Sequence, residues 1–294
     1  TDPHEDRATR MALAAAEAAV RDGRLRAGGR WSGGIEPHRV ACLVSLSKGG
    51  LELAARVHAA RDSGLASDGD WVLSLDPASA ARRIAARLDV RGPVAAPVAA
   101  CASGGTVLAA AARLLEDARA DLVICGAADG SLGPLVAGSY ARLGLLAPPD
   151  VSLPQGLAPF AAGRRGFALG EGAAVFALCR GETARALGLA PRALLAGWAE
   201  GAFARDLVTV PDDGALLARV AAAALARAGV NPGQVDIVGV HGTATRDGDL
   251  NEARAIRRLL GAEAPRAAIL ATKPLHGHLL GAACAVETAV LVRA

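Results

Sequence analysis

The chain is organised around the stretch Val98-Ala99-Ala100-Cys101-Ala102-Ser103-Gly104-Gly105, in which a cysteine stands between an apolar run and small residues. Residues 92–98 are predicted to form a short buried strand, and the Ala- and Leu-rich residues 106–117 are predicted to form a helix. Cys101 is therefore expected at a strand-to-helix corner. N–H groups at a helix start stabilise a thiolate, and small neighbours let a substrate carbonyl approach. These eight residues alone favour a nucleophile and a small buried core residue equally.

Length and composition limit the kinds of protein to which this corner can belong. With 294 residues and 52% hydrophobic content, the chain can bury a large core as one big domain or as two fused halves. No apolar run reaches membrane-spanning length, and the first residues show no signal-peptide pattern. The cysteines are odd in number and lack a Cys-x-x-Cys pair, which disfavours a disulfide framework or a zinc site and favours a reducing cytoplasm. They are Cys42, Cys101, Cys125, Cys179 and Cys284.

The charge pattern disfavours a nucleic-acid partner. The formal net charge is +3, and the arginines are spread along predicted helices rather than clustered with aromatic residues. Lys48 and Lys273 are the only lysines, although the chain has 32 Lys and Arg side chains. A lysine in such an Arg-rich chain indicates a place where a compact ammonium is needed, with chance survival as the alternative.

Predicted strands and helices alternate along the chain. The predicted strands are residues 39–46, 121–126, 173–178, 194–199, 235–240 and 268–271. The other predicted helices are residues 6–22, 76–88, 214–228, 249–260 and 277–294. Two α/β units of like order predict a duplicated, doubly covered sheet architecture.

Two further stretches carry a histidine just beyond a predicted strand. They are His241-Gly242-Thr243-Ala244-Thr245 and the run from Lys273 through His276 and His278. Open α/β sheets place their chemistry at such strand ends, and two histidine sites with a rare lysine and a corner cysteine favour a catalytic centre over a satisfied core. Metal binding by His276 and His278 is the rival interpretation. It is disfavoured because no carboxylate or cysteine follows at ligand spacing.

Four motifs in order resemble the β-ketoacyl-ACP synthases of the thiolase-like superfamily. They are Cys101 in Ala-Cys-Ala-Ser-Gly, GFALGEGA at residues 166–173, His241 in HGTAT, and Lys273 in TKPLHGHLLGAA. The resemblance implies an α/β fold with five layers, α-β-α-β-α, and two similar halves. Residues 1–190 would form the half that carries the cysteine, and residues 191–294 the half that carries the two histidines and the lysine.

The resemblance implies an elongating condensing enzyme with a Cys-His-His triad. Such an acyltransferase joins an acyl thioester on Cys101 to malonyl-ACP by decarboxylative Claisen condensation, in fatty acid or polyketide biosynthesis, while neutral histidines stabilise the enolate. The implied catalytic residues are Cys101, His241, His278 and Lys273. The implied supporting residues are Glu287, which holds the lysine, Glu252 and Asp249. The implied phosphopantetheine-binding residues are Thr209, Thr243 and Thr245.

The resemblance also implies the partners. No cofactor or metal is expected, because phosphopantetheine is carried by the acyl carrier protein, which is the expected partner. A homodimer is expected, or a heterodimer with a chain-length-factor-like subunit, with neither nucleic acid nor membrane as partner. The family's opening strand with its Thr-Gly turn and its closing Gly-Phe-Gly-Gly loop have no match, so truncation at both ends with loss of terminal strands is expected. A non-catalytic ketosynthase-like partner, an inactive fragment and a thiolase are the alternatives.

Overall fold

A computed structural model describes residues 6–62, 69–151, 156–203, 213–264 and 266–293. Its strands are β1 Arg26–Ala27, β2 Arg30–Trp31, β3 Val40–Leu46, β4 Val94–Ala95, β5 Leu122–Asp129, β6 Gly172–Cys179, β7 Ile237–Gly239 and β8 Ala268–Leu270. Its helices are α1 Arg7–Asp22, α2 Leu51–Asp62, α3 Ser79–Leu88, α4 Ser103–Glu116, α5 Pro134–Arg142, α6 Gly181–Ala186, α7 Ala215–Ala228, α8 Arg246–Leu260, α9 Lys273–His276 and α10 Ala283–Arg293. None of these helices is long and apolar enough to cross a membrane.

The described residues form two compact units. The first lies within Thr1–Val136, Gly170–Ala193 and Leu279–Arg293, and the second within Ala137–Leu169 and Leu194–His278. The chain therefore passes between the two units more than once.

The first unit is built on a four-stranded sheet with the order β4-β3-β5-β6. β3 runs parallel to both β4 and β5, with Cys42 opposite Ile124, and β6 runs antiparallel to β5. Every residue of β3 and β5 is buried, which is typical of parallel strands covered by helices on both faces. The predicted strands 39–46 and 121–126 are confirmed.

Alternate side chains of β3 enter two separate cores. Cys42 and Val44 pack on one side with α1 and with Ile84 of α3. Leu43 packs on the other side with Val107 of α4. Because successive strand residues face opposite sides of a sheet, the continuous apolar run of β3 anchors helices on both faces. This packing fixes α4, the helix that follows Cys101.

The second unit carries the short parallel pair β7 and β8. Gly239 at the end of β7 lies opposite Leu270 at the end of β8, so the two strands end at the same level. The loop that contains His241 follows β7, and α9, which begins with Lys273, follows β8. The two predicted histidine segments therefore leave the carboxyl ends of neighbouring parallel strands, as expected for a site in an α/β unit.

The strand predicted for residues 92–98 is only partly present. Val94–Ala95 alone pairs with β3, and β4 is the edge of the sheet. Val94 is 38% and Val98 47% exposed, so the prediction of a buried strand is wrong. Pro97 has no N–H for a ladder, which limits pairing beyond the first residues.

Two other predicted elements differ from the structure. Residues 194–199 belong to no strand among the described residues, and Leu194 is 85% exposed, because an apolar run becomes a strand only beside a partner strand. The predicted helix 277–294 begins at Ala283 instead of Gly277. Gly277 has φ 75° and Leu280 has φ 47°, and such left-handed residues cannot continue an α-helix.

Candidate active site

Cys101 lies in a single 3-10 turn, Ala100–Ala102, directly before α4. Ser103, the first residue of α4, holds this turn: its Oγ accepts a hydrogen bond from the Ala99 N–H at 3.0 Å and donates to the Ala100 carbonyl at 2.7 Å. Ala100 has φ 47°, a conformation that residues with a Cβ seldom adopt and that is often found at functional sites. The half-buried Cys101 thus stands on a tightly held turn at a helix start.

The glycines after Cys101 allow close helix packing. A Cβ at Gly104 would lie 2.5 Å from the backbone N of Ala285, and a Cβ at Gly105 would lie 3.2 Å from Sγ of Cys284. Both contacts are with the first residues of α10. These small residues were predicted to give a substrate access to Cys101, whereas in the structure they allow the close approach of α10 to α4.

The remaining cysteines differ from Cys101 in their environment. Burial raises the pKa of the Cys42 thiol to about 12 and also raises the pKa of Cys125 in the neighbouring strand. Burial likewise raises the pKa of Cys179. Cys284 is half-buried and is the second residue of α10, so it shares with Cys101 a position at a helix start. All five cysteines are thiols outside any disulfide.

His241 and Lys273 contact each other in the second unit. Nζ of Lys273 lies 3.3 Å from Nδ1 of His241 and also donates to the carbonyl oxygen of His241. Lys273 is 2% exposed. Because an ammonium can only donate, Nδ1 accepts, and the proton of the neutral ring is on Nε2. Lys273 therefore selects the tautomer that presents Nε2–H as a donor.

The protonation state of His241 follows from the same surroundings. His241 is exposed to solvent. Even so, desolvation by the surrounding protein and, secondly, the positive charge of Lys273 lower its pKa to about 3. The ring is therefore neutral at pH 7, which is the state that the assigned tautomer requires.

His278 is 2% exposed and is fixed through both backbone and ring. Its N–H donates to the carbonyl of Ala168 at 2.7 Å, and it forms a β-bridge with Leu169. Its ring packs edge to face against Phe167, with centroids 4.9 Å apart, and against His241, with centroids 5.1 Å apart. The GFALGEGA motif therefore supplies a ring and two backbone partners that orient His278.

Two carboxylates from α8 bind the loop that carries His241. Glu252 accepts hydrogen bonds from the N–H groups of His241 at 2.6 Å and Gly242 at 2.8 Å. Asp249 accepts from the N–H of Ala244 at 3.1 Å. Desolvation raises the pKa of both carboxyl groups. Both carboxylates bind the backbone of the loop, and their supporting role in catalysis stays a prediction.

Two residues of this site, Arg164 and Phe160, were not predicted from the sequence. The guanidinium of Arg164 lies 3.6 Å from Asp249, and its side chain is 16% exposed. The N–H of Phe160 donates to the same carboxylate at 2.6 Å, and Phe160 has φ 65°. The one sequence signal is the arginine pair Arg164–Arg165 directly before GFALGEGA, and a pair of arginines does not by itself indicate its partners.

The other predicted site residues divide between the units. Thr243 and Thr245 lie in the second unit with their hydroxyl oxygens 2.8 Å apart. Glu287 is half-buried in α10, and it belongs to the first unit, as does Cys101. Thr209 lies outside the described residues. Within the described ranges no three His, Cys, Asp or Glu side chains are placed to hold a metal ion.

The second unit thus brings together two histidines, a buried lysine and two loop-binding carboxylates. A solved structure of a type II polyketide synthase acyl carrier protein in complex with its ketosynthase, bound to a hexaketide, matches 98% of this chain and 72% of the solved chain. The TM-score is 0.88 and the identity 29%. This likeness confirms the thiolase-like α/β fold that the motifs predict.

Two family profiles that match this sequence identify its family within the thiolase-like fold. The profile of the beta-ketoacyl synthase N-terminal domain matches residues 3–184, and that of the C-terminal domain matches residues 193–294. The chain belongs to the β-ketoacyl synthase family, which confirms the resemblance stated for the four motifs.

The relatives similar to this chain include two polyketide β-ketoacyl synthases. The putative polyketide beta-ketoacyl synthase 1 of Streptomyces cyaneus is 31% identical over 98% of this chain and 69% of its own length. The oxytetracycline polyketide putative beta-ketoacyl synthase 1 of Streptomyces rimosus is 37% identical over 72% of this chain, and the match covers half of that relative's length.

Proposed function

We propose that this chain is a condensing acyltransferase of polyketide biosynthesis, which joins an acyl group on Cys101 to a malonyl group borne by an acyl carrier protein. Family membership and the polyketide relatives support the reaction class. The observation that carries the proposal is the Lys273 Nζ to His241 Nδ1 contact of 3.3 Å, beside the ring of His278. It gives a neutral histidine whose Nε2–H is positioned to donate to a developing oxyanion.

In the first half-reaction, the thiolate of Cys101 attacks the carbonyl carbon of an acyl thioester on the carrier protein. The new bond joins Sγ to the acyl carbon, and the bond to the pantetheine sulfur breaks. The leaving thiolate takes up the proton that Cys101 released, so the carrier protein leaves with a thiol. The helix start at α4 favours the thiolate form of Cys101.

In the second half-reaction, the malonyl thioester loses its carboxyl group as CO₂, and the electron pair of that bond forms an enolate. The N–H groups of His241 and His278 stabilise the enolate oxygen. The enolate carbon then attacks the acyl thioester, and Cys101 leaves as a thiolate. The product is a 3-ketoacyl thioester on the carrier protein.

The proposed reaction implies binding partners for this chain and a location in the cell. The phosphopantetheine arm of the carrier protein enters beside the Thr243 and Thr245 hydroxyls, and the protein carries no cofactor of its own. A homodimer, or a heterodimer with a chain-length-factor-like subunit, is supported by the edge strand β4 with its exposed Val94, and by the exposed Val98 three residues beyond the strand. The chain works in the cytoplasm, as its widely spaced thiols suggest.

The proposal is tested by malonyl-dependent formation of a 3-ketoacyl carrier protein. His278→Ala is expected to reduce this rate by about 10² or more, the scale of losing one preorganised donor. His276→Gln is the matched control, because His276 contacts only Thr272 and Gly277 through hydrogen bonds of 2.9 and 2.7 Å in the described structure, and an amide can replace such bonds. Equal activity in both variants would exclude the proposed role of His278.

A further inference from the structure

Arg164 binds the backbone at the end of the loop that holds the two threonines. Its Nε donates to the carbonyl of Thr245 at 3.1 Å and its Nη2 to the carbonyl of Arg246 at 2.6 Å. Its Nη1 donates to the carbonyl of Ala161 at 2.9 Å. One planar guanidinium thus joins the segment before GFALGEGA to the start of α8, an arrangement that a lysine cannot reproduce.

The loop before α8 is constrained from several sides. Ala244 has φ 57°, and its carbonyl accepts a hydrogen bond from Gly166 at 2.8 Å. Asp249, 1% exposed on its side chain, lies 3.6 Å from Arg164. It binds the N–H groups of Ala244 and Phe160. These bonds hold the strained residue in place, so loss of one of them is expected to shift the loop.

The hydroxyl pair of this loop lies over a glycine. A Cβ at Gly248, in the first turn of α8, would lie 2.6 Å from Oγ1 of Thr245 and 3.2 Å from Oγ1 of Thr243. Gly248 is not in a left-handed conformation, so the missing side chain serves space rather than backbone freedom. The position of the two hydroxyls is therefore set by the Arg164 contacts and by the space above Gly248.

We propose that Arg164 is a positioning residue for the binding of pantetheine, acting through the carbonyls of Thr245 and Arg246 on the Thr243–Thr245 hydroxyl pair. The inference rests on the proposed function in one respect, namely that these threonines bind the pantetheine chain. Arg164 itself binds backbone carbonyls and touches no reacting atom. Its effect is expected on the affinity for pantetheine and not on the chemical step.

The experiment measures the equilibrium affinity of the full chain for an unreactive amide analogue of acetyl-pantetheine, which needs no turnover. Arg164→Gln and Gly248→Ala are expected to weaken binding about tenfold, the scale of losing a charge-assisted hydrogen bond. Arg165→Gln is the matched control. The neighbouring Arg165 pairs with the exposed Asp150 at 3.1 Å, and its variant is expected to stay within twofold of wild type.

Thr245→Val adds a coupling test. In the Arg164→Gln background it is expected to weaken binding little further, since both changes remove the same interaction. If Arg164→Gln does not fold, Arg164→Lys carries the test in the same direction, because one ammonium cannot bind all three carbonyls. Equal affinity for Arg164→Gln and Arg165→Gln, full additivity with Thr245→Val, or no binding by wild type overturns the inference. Failure of condensation alone overturns the proposed function and leaves this result standing.

Discussion

The rings of His241 and His278 meet edge to face, with centroids 5.1 Å apart and planes at 84°. The two residues come from segments that follow different strands, and each ring is oriented by its own partner: Lys273 for His241 and Phe167 for His278. The two imidazoles are therefore in direct contact, and their contributions to catalysis are expected to depend on each other.

This dependence predicts the behaviour of the double variant. His241→Ala and His278→Ala are each expected to lower malonyl decarboxylation by about 10², whereas the double variant loses little more, because residues that act together are not additive. Acylation of Cys101 is expected to survive better than decarboxylation in all three variants. Rates of CO₂ release and of acyl-enzyme formation, measured separately, check this. Equal loss of both half-reactions would refute the division of roles.

A second prediction concerns the nucleophile. The acyl group of an acyl-loaded carrier protein is expected on Cys101 and on no other thiol. Burial raises the pKa of Cys42, Cys125 and Cys179, which disfavours their reactive thiolate forms. Cys284 is the informative competitor, since it also lies at a helix start. Peptide mapping of the labelled chain, with Cys101→Ala and Cys284→Ala as matched variants, distinguishes the two. Label that persists in Cys101→Ala would move the nucleophile to another thiol.

A third prediction follows from the lysine beside His241. Lys273→Met removes a positive charge, so the pKa of His241 is expected to rise from about 3 towards its usual value of 6.5, while desolvation keeps it below that value. In the wild type, the pKa of His241 is lower in the folded state than in the unfolded state. Between pH 6.5 and about 3 only the unfolded state binds a proton at His241, so the free energy of unfolding falls as the pH drops through this range. In Lys273→Met this loss is expected to be smaller.

Nitrogen NMR of His241 tests the same substitution. The wild type is expected to show the Nε2–H tautomer at pH 7. Lys273→Met is expected to show a mixture of tautomers, because no ammonium then donates a hydrogen bond to Nδ1. An unchanged tautomer and an unchanged titration in the variant would remove Lys273 from the account of His241.

A fourth prediction concerns the buried carboxylate that binds the other lysine, Lys48. Asp129, with a side chain 2% exposed, accepts hydrogen bonds from Nζ of Lys48 at 2.6 Å, Oγ of Ser47 at 2.9 Å and the N–H of Gly281 at 3.2 Å. Asp129→Asn is expected to lower the free energy of unfolding by about 2 kcal/mol, because a hydrogen-bonded ammonium loses its counter-charge.

The control for Asp129 is an exposed ion pair. Glu17→Gln breaks the Glu17–Arg87 contact of 2.7 Å, whose side chains are 34% and 65% exposed, and is expected to cost less than about 1 kcal/mol. Chemical denaturation of both variants makes the comparison. A loss at Asp129 no larger than that at Glu17 would show that the buried network contributes little.

Much of the first unit could be predicted from the sequence because its signals are local. Asp6 binds the N–H of Ala8 at 2.9 Å as the cap of α1, and the apolar runs 39–46 and 121–126 form the central strands. The strand predicted at 194–199 was wrong, since pairing depends on a neighbour that a single segment does not reveal.

The residues of the candidate site could be predicted where they belong to a motif. They could not be predicted where a side chain acts by binding the backbone of other residues. His241, Lys273 and His278 stand in recognisable motifs, and the structure places them together. Arg164 was missed because its partners are carbonyl oxygens, which every residue carries. The left-handed conformation of Ala100 was equally invisible, because alanine does not signal a positive φ.

The central claim is that an acyl group on Cys101 is extended by a malonyl group with loss of CO₂. A single-turnover chase tests it most directly: the chain is first acylated by an acyl carrier protein, and malonyl carrier protein is then added while the mass of the protein and the released CO₂ are followed. The account predicts that the acyl mass disappears from Cys101 with one CO₂ and one 3-ketoacyl carrier protein for each acyl group lost. Acyl-Cys101 that persists while malonyl carrier protein remains intact would contradict it and favour a non-catalytic ketosynthase-like partner.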